Sequence, residues 1–309
     1  MSQPTLGALR EANAYLDDFE RLNALFYDEG YLFFRNVLDL EEVDRVKRDM
    51  VHVLQEQGIV KRGETEPIWT GASLDALRDD DLYALESYAA LCEGSAKRIV
   101  EKTFGEPAFM FKGPTLRYAL PADAAHVTPA HQDYFFIRAN DRFRTLWMPL
   151  MEIDEQVGGL VITPGSHKEG LREHVEREDV FSYVLKGRKQ KGVALDDIAP
   201  PWLTTHYQPG DVLIFHNLTL HWALPNTSDR VRLSIDTRAQ PADVPRTFQM
   251  AKTIPEQRNY RKEVQRLARE EGASEALFEL VVIEMMKRDL PPERENVKQL
   301  MSELETMPE

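Results

Sequence analysis

The chain has 309 residues, 42% of them hydrophobic and 29% charged, the balance of a globular protein and not of a disordered one. Lys and Arg number 38 against 52 Asp and Glu, giving a formal charge of −14, and so acidic a surface argues against the nucleic-acid partners that need a positive field. A single cysteine, Cys92, excludes an intrachain disulfide and a thiolate metal site, and no stretch approaches the roughly 18 to 20 apolar residues of a membrane span.

In chain order, the first twenty residues carry several acids and no apolar core, so they do not read as a secretory leader, and the last five match no lipidation or peroxisomal signal. A soluble cytoplasmic protein is expected. Tyr15 to Asp28 sets Leu16, Phe19, Leu22, Leu25 and Phe26 at helical spacing, and Gly30 ends the run. Tyr31 to Val37 is a strand candidate. Leu40 to Glu56 returns to helical period with Val43, Val46, Met50 and Val53 on one face, and a further helix is expected from Asp81 to Phe104.

From about Pro107 the texture changes to short β-rich runs separated by Gly and Pro: 108–111, 115–120, 132–137, 143–151, 159–163, 211–215 and 230–237. Many short strands with regular turn signals predict a sandwich or barrel. Residues 168–204 read as a polar insertion, a long loop with a little helix, and such loops often serve as lids. Beyond Pro245 the pattern is helical again over 260–271 and 273–288, with one short charged helix after Pro291-Pro292.

His131-Gln132-Asp133 lies within the β-rich part. In an extended segment residues two apart face the same way, so one nitrogen and one oxygen can take adjacent positions on a metal. Such a triplet alone is common by chance. A second segment strengthens it. Pro209-Gly210-Asp211 turns into the apolar run Val212 to Phe215, His221 follows, and the next strand alternates Val231, Leu233 and Ile235 with Arg232, Ser234 and Asp236. Two imidazoles and a carboxylate form the donor set of non-haem Fe(II) oxygenases. A buried arginine beside them would bind an acidic co-substrate, or else be neutralised by a structural salt bridge such as one to Asp236.

Five pieces, in order, carry a family resemblance: Asp28-Glu29-Gly30-Tyr31-Leu32; Pro129-Ala130-His131-Gln132-Asp133; Gly158-Gly159-Leu160 with Pro164-Gly165-Ser166-His167; Pro209-Gly210-Asp211-Val212 with His221; and Asn226, Ser228 and Arg232. The chain resembles the phytanoyl-CoA dioxygenase-like Fe(II)/2-oxoglutarate oxygenases over roughly residues 20–240. The resemblance implies a mostly β core with flanking α, a double-stranded β-helix (jelly roll, cupin-like). It implies Fe(II), 2-oxoglutarate and O2, with His131, Asp133 and His221 on the metal and Arg232 on the distal carboxylate of 2-oxoglutarate. The expected reaction hydroxylates an unactivated C–H bond of a small metabolite and releases succinate and CO2. Related halogenases replace the carboxylate with a small residue, so Asp133 favours oxygenation.

One departure from the family stands two residues after the distal histidine, where a hydroxyl residue often helps to bind the co-substrate and this chain has Ala223. Thr145, Ser234 and Lys112 are candidates to replace it. Arg117, Tyr134, Arg138 and Trp147 are candidate substrate contacts, with Phe136 and Arg238 nearby, and Arg117 or Arg138 would suit an anionic substrate group. His216 is the competing distal histidine, but it lies 16 residues before Arg232. His167 reads as a turn residue; His126, His174 and His206 read as exposed or locally bonded.

The expected organisation is an oxygenase domain over 1–245, with a helical part over 1–105 and the jelly-roll core over 106–240. Residues 246–309 would be a helical extension packed on it. Its apolar residues would cover the barrel, close the pocket or form a homodimer face. A cupin-like hydrolase or isomerase would share the metal ligands without needing Arg232, and a non-catalytic binding protein would have no need of the ligand set.

Overall fold

The computed structural model describes residues 6–73, 82, 85–111, 115–121, 127–137, 139–175, 184–185, 188–189, 191–244, 255–287 and 290–305. Two compact units result. The first comprises residues 1–110, 114–135 and 142–242; the second comprises 111–113, 136–141 and 243–309.

In the first unit, strand β1 (Leu6–Ala8) is followed by helix α1 (Phe19–Glu29), strand β2 (Tyr31–Phe34) and helix α2 (Leu40–Glu56). Helix α1 begins later than the apolar spacing predicts. The Asp18 carboxylate accepts from the Arg21 amide and fixes the start there. Gly30, in the left-handed region at φ 80°, ends the helix and turns the chain into β2. Asp39 caps α2 in the same manner, accepting from the amides of Glu41 and Glu42.

The helix expected over 81–104 is broken. Regular turns cover Glu86–Leu91 and Lys97–Phe104, and a π-type segment, Cys92–Ala96, lies between them. The cause is Glu42, whose carboxylate accepts from both the amide and the hydroxyl of Ser95, at 2.9 and 2.5 Å. A Cβ on Gly94 would run into that carboxylate. Residues 74–81, 83 and 84 lie outside the described chain.

The remaining strands are β3 (Ala108–Met110), β4 (Thr115–Ala119), β5 (Arg144–Pro149), β6 (Leu160–Ile162), β7 (Val184–Leu185), β8 (Arg188–Lys189), β9 (Trp202–Thr204), β10 (Val212–His216), β11 (His221–Ala223) and β12 (Arg232–Pro241). They form a six-stranded sheet along β2-β10-β5-β12-β3, with β4 also on β12, a four-stranded sheet β1-β9-β6-β11, and the small β7-β8 pair. Strand β12 is the spine of the larger sheet: β5 lies along one edge, and β4 and then β3 share the other. All ten of its residues are buried. Leu233 and Ile235 belong to the apolar core, while Arg232, Ser234, Asp236 and Arg238 alternate onto the opposite face.

Two further expectations are corrected. Residues 133–137 form a short helix, Asp133–Ile137, and not a strand. The 168–204 segment is not all loop, because Trp202–Thr204 is β9 and pairs with both β1 and β6. Three residues next to two prolines give too short a period to read.

In the second unit the helices Pro255–Glu270, Glu275–Lys287 and Arg294–Glu305 enclose an apolar core of their own, including Val264, Phe278, Val281, Met285, Val297 and Leu300. No helix among the described residues is long and apolar enough to cross a membrane.

Candidate active site

His131 and His221 form an isolated antiparallel bridge and exchange both backbone hydrogen bonds, at 3.0 and 3.1 Å. Paired residues in an antiparallel ladder project to the same side, and the two imidazoles sit with ring centroids 4.2 Å apart. Each ring is turned by the carbonyl two residues before it. His131 Nδ1 lies 2.8 Å from Pro129 O, and His221 Nδ1 lies 2.9 Å from Thr219 O. A carbonyl only accepts, so each Nδ1 carries the proton and each Nε2 presents its lone pair. Burial, with His131 alongside, pushes His221 down to about 3, so it is neutral at physiological pH.

Both Nε2 atoms face Asp133 Oδ1, at 3.5 and 3.8 Å. The donor atoms of the three residues all lie within 4.8 Å of one another, and all three residues are buried. Asp133 does not reach this point along a strand. Gln132, between His131 and Asp133, is fully buried, and its side-chain amide donates to Gly170 O and Leu218 O. Its carbonyl accepts from the Arg172 amide, and its backbone N–H donates to His174 Nε2. These bonds turn the chain into the helix that Asp133 opens. His174 is therefore a buried clamp, stacked on Phe135 at 4.2 Å and bonded locally through Nδ1 to the Arg172 carbonyl.

The other oxygen of Asp133 is held from β5 and β12. The Thr145 hydroxyl donates to Oδ2 at 2.5 Å, and Arg238 Nη2 lies 3.7 Å from the same atom. Thr145 and Arg238 are register partners across the two strands, which is why they meet there. Burial would raise the Asp133 carboxyl, but the Arg238 charge and the histidines outweigh it and hold it well below the usual carboxylate range. Asp236 in turn accepts from Arg238 at 3.1 and 3.3 Å and from Arg117 Nε at 3.0 Å.

A cavity opens between the two sheets beside the histidines. Leu160, His221 and Ala223 line it from the smaller sheet, and Arg117, Trp147, Phe215, Arg232 and Asp236 from the larger one. Arg232 is only 5% exposed, and its Nη1 donates to Gly158 O. Among the described residues its buried Nε has no hydrogen-bond partner. Burial, reinforced by the neighbouring Arg117 charge, pushes the guanidinium down to about 10. Asp236 pairs with Arg117 and Arg238, so the salt bridge weighed for Arg232 is not formed. A buried cation with an unsatisfied donor, facing a cavity that also holds imidazole and carboxylate donors, suits an anionic ligand.

The profile of the phytanoyl-CoA dioxygenase (PhyH) family matches residues 26–234. The chain belongs to the phytanoyl-CoA dioxygenase family. A 1-deoxypentalenic acid 11-beta-hydroxylase of Streptomyces exfoliatus is 34% identical over 267 residues, covering 82% of this chain and 92% of the relative. Its counterpart in Streptomyces arenae is 36% identical over 276 residues, with the same coverage. Among solved structures, the non-heme alpha ketoglutarate dependent carbocyclase SnoK from nogalamycin biosynthesis matches with a TM-score of 0.51 at 22% identity, covering 74% of this chain and 85% of that one. That likeness concerns the double-stranded β-helix fold.

As a member of this family the protein is an Fe(II)- and 2-oxoglutarate-dependent oxygenase, a hydroxylase that uses O2. The hydrolase, isomerase and inert-binder alternatives are set aside. The residues present fit the metal: two imidazole nitrogens and one ionised carboxylate oxygen converge on one point, the donor set suited to non-haem Fe(II).

The other sequence candidates sort as follows. Thr145 differs from expectation: its hydroxyl is engaged by Asp133. The Ser234 hydroxyl, also expected at the co-substrate, donates to the Arg117 carbonyl at 3.2 Å. Arg117 and Trp147, expected on the substrate side, line the same cavity as Arg232. Tyr134 is half-buried on the short helix, with its amide on Asn217 O. Lys112 and Arg138 lie outside the described residues, as does His126. His216, the competing histidine, is engaged elsewhere: its Nδ1 accepts from the Leu218 amide, and its ring packs against Phe26, Tyr27 and His167. Arg238 and Gln132 went unread as positioning residues. The signal for Arg238 was available, because the polar alternation of β12 runs one step past Asp236.

Proposed function

We propose that His131, Asp133 and His221 hold the Fe(II), that Arg232 binds the distal carboxylate of 2-oxoglutarate, and that the substrate is a small, largely apolar carboxylic acid of terpenoid type. The observation that carries the ligand assignment is the convergence of three buried donors beside a cavity whose wall holds Arg232 with an unsatisfied donor. The two relatives above 30% identity, both named for 1-deoxypentalenic acid, support the substrate class.

Bound at this site, Fe(II) with 2-oxoglutarate and O2 supplies the oxidising chemistry that places a hydroxyl on a substrate C–H bond, with succinate and CO2 released. The chain's own residues do the positioning. Arg238 and the histidines keep Asp133 ionised, and Thr145 and Arg238 hold its Oδ2, so that Oδ1 turns to the histidines. The two backbone carbonyls fix the histidine tautomers. Trp147, Leu160 and Phe215 give the cavity apolar walls, which strengthen the attraction between Arg232 and a carboxylate.

The test is anaerobic addition of Fe(II) and 2-oxoglutarate, followed by the weak visible charge-transfer band of an iron–2-oxo-acid chelate. Loss of the band in Asp133→Ala and His221→Ala, and its presence in the wild type, are expected. A band that persists in both variants refutes the ligand set. Succinate release is then measured across a panel of terpenoid carboxylic acids and their methyl esters. Equal turnover of acids and esters refutes the proposed substrate class.

A further inference from the structure

At the position two residues after the distal histidine, where the family often places a hydroxyl beside its arginine, the co-substrate cavity has none. Ala223 shares the inner face with His221, two residues along β11, and contributes no polar atom. Neither hydroxyl candidate replaces it, because Thr145 donates to Asp133 and Ser234 to the Arg117 carbonyl.

What the wall does hold is a second guanidinium. Arg117 lies on β4 directly opposite Ser234, so its side chain projects from the same inner face as Arg232 and Asp236. Asp236 Oδ2 accepts from its Nε at 3.0 Å, and this is the one acceptor recorded for its side chain among the described residues. The two Nη groups, the outer edge of the fork, remain for a ligand. Anchoring through Nε leaves the plane of the fork pre-organised, which lowers the entropic cost of binding.

The charges point the same way. Arg117 and Arg232 line the cavity together, and Asp236, the one acid in its lining among the described residues, also neutralises Arg238. Two guanidiniums face the cavity, and its carboxylate, Asp236, is bonded to Arg117 and Arg238 but not to Arg232, so the cavity is short of negative charge. A dicarboxylate supplies it.

We propose that Arg117 is a second binding residue for 2-oxoglutarate, donating to a carboxylate of the co-substrate and taking the place of the hydroxyl absent at Ala223. This rests on the reading of the cavity as the co-substrate site. It also places the substrate's own recognition elsewhere than Arg117.

The test uses full-length protein loaded with Ni(II), with calorimetric titration of 2-oxoglutarate and a separate titration of the metal. Arg117→Met is expected to weaken 2-oxoglutarate about tenfold to a hundredfold, the worth of charge-assisted hydrogen bonds, with Ni(II) affinity within about twofold of wild type. Ala223→Ser in that background is expected to restore part of the loss. In turnover the KM for 2-oxoglutarate rises while the KM for substrate is unchanged. If Arg117→Met does not fold, Arg117→Lys carries the test, since it keeps a cation near Asp236 but loses the fork, and a several-fold weakening is expected. Wild-type affinity in the folded Arg117 variant overturns the proposal. Arg232→Met distinguishes the two levels. If it abolishes 2-oxoglutarate binding while the Arg117 variant binds normally, only the role of Arg117 fails. If both variants bind normally, the cavity is not the co-substrate site.

Discussion

Replacing Thr145 by Val removes one hydroxyl and keeps the shape of a residue with no solvent exposure. That hydroxyl donates at 2.5 Å to Asp133 Oδ2, an ionised and buried acceptor. A hydrogen bond to a charged group contributes about 1.5–3 kcal/mol. At about 1.4 kcal/mol per decade this corresponds to roughly ten- to 150-fold in an equilibrium constant. Arg238, 3.7 Å from the same oxygen, keeps it from being wholly unpaired, which places the expectation in the lower part of that range. Divalent metal affinity should therefore fall about ten- to thirtyfold, within the span of typical outer-sphere substitutions at metal sites. Calorimetric titration of Ni(II) into wild type, Thr145→Val and Thr145→Ser measures it. The Ser variant, which keeps the hydroxyl, should stay near wild type. Unchanged metal affinity in the Val variant, with weakened 2-oxoglutarate binding, would refute the positioning role and return Thr145 to the co-substrate.

Further outcomes follow from other parts of the site. Gly158→Ala should destabilise the fold by about 2 kcal/mol or more, since φ is +78° there and a Cβ would meet Leu224 O at 2.6 Å. Because Gly158 O also anchors Arg232, any folded fraction should bind 2-oxoglutarate weakly; urea denaturation and calorimetry check both. Asp236→Ala leaves Arg117 and Arg238 without their shared carboxylate and should cost about 3–5 kcal/mol, read as a fall in thermal midpoint. His216→Gln should keep equimolar metal binding, whereas His221→Gln should lose it. His167 carries a pH dependence of stability. Burial lowers it below the ordinary 6.5, and its buried Nδ1 has no partner among the described residues. A depressed folded value means that the unfolded chain takes the proton first. The contribution is thus complete above about pH 6.5 and is lost as pH falls through the lower folded value. Denaturation midpoints of His167→Gln should change less than those of wild type between about pH 7.5 and 5.

The parts of the site that could be read from the sequence are those whose spacing alone limits the choices. Arg232 was readable because β12 alternates without interruption, and a strand with a polar face turned inward needs an inward ligand. The interval to Arg232 favours His221 over His216, and in the structure the side chain of His216 is held by Leu218 and a cluster of rings. The Asp133 geometry was anticipated for the wrong reason. The sequence pattern suggested a strand, in which residues two apart share a face, yet Asp133 opens a helix because Gln132 is held by Gly170, Leu218, Arg172 and His174. No local period encodes bonds that span 38 to 86 residues.

By itself the sequence determined the chemistry available to this protein. It carries a His-x-Asp triplet, a distal histidine, an inward arginine and an aspartate where a halogenase would have a small residue. Residue types and short intervals decide donor identity, charge and which face of a strand a side chain takes. Only the tertiary structure decided the use of each group. It joined His131 to His221 through a bridge between residues 90 apart in the chain and gave Asp133 its hydroxyl and guanidinium partners. It also put Arg117 into the cavity of Arg232. The physical reason is that hydrogen-bond partnership and burial depend on which strands come to lie side by side. In a two-sheet fold that pairing is set by long-range register, to which a one-dimensional pattern is blind.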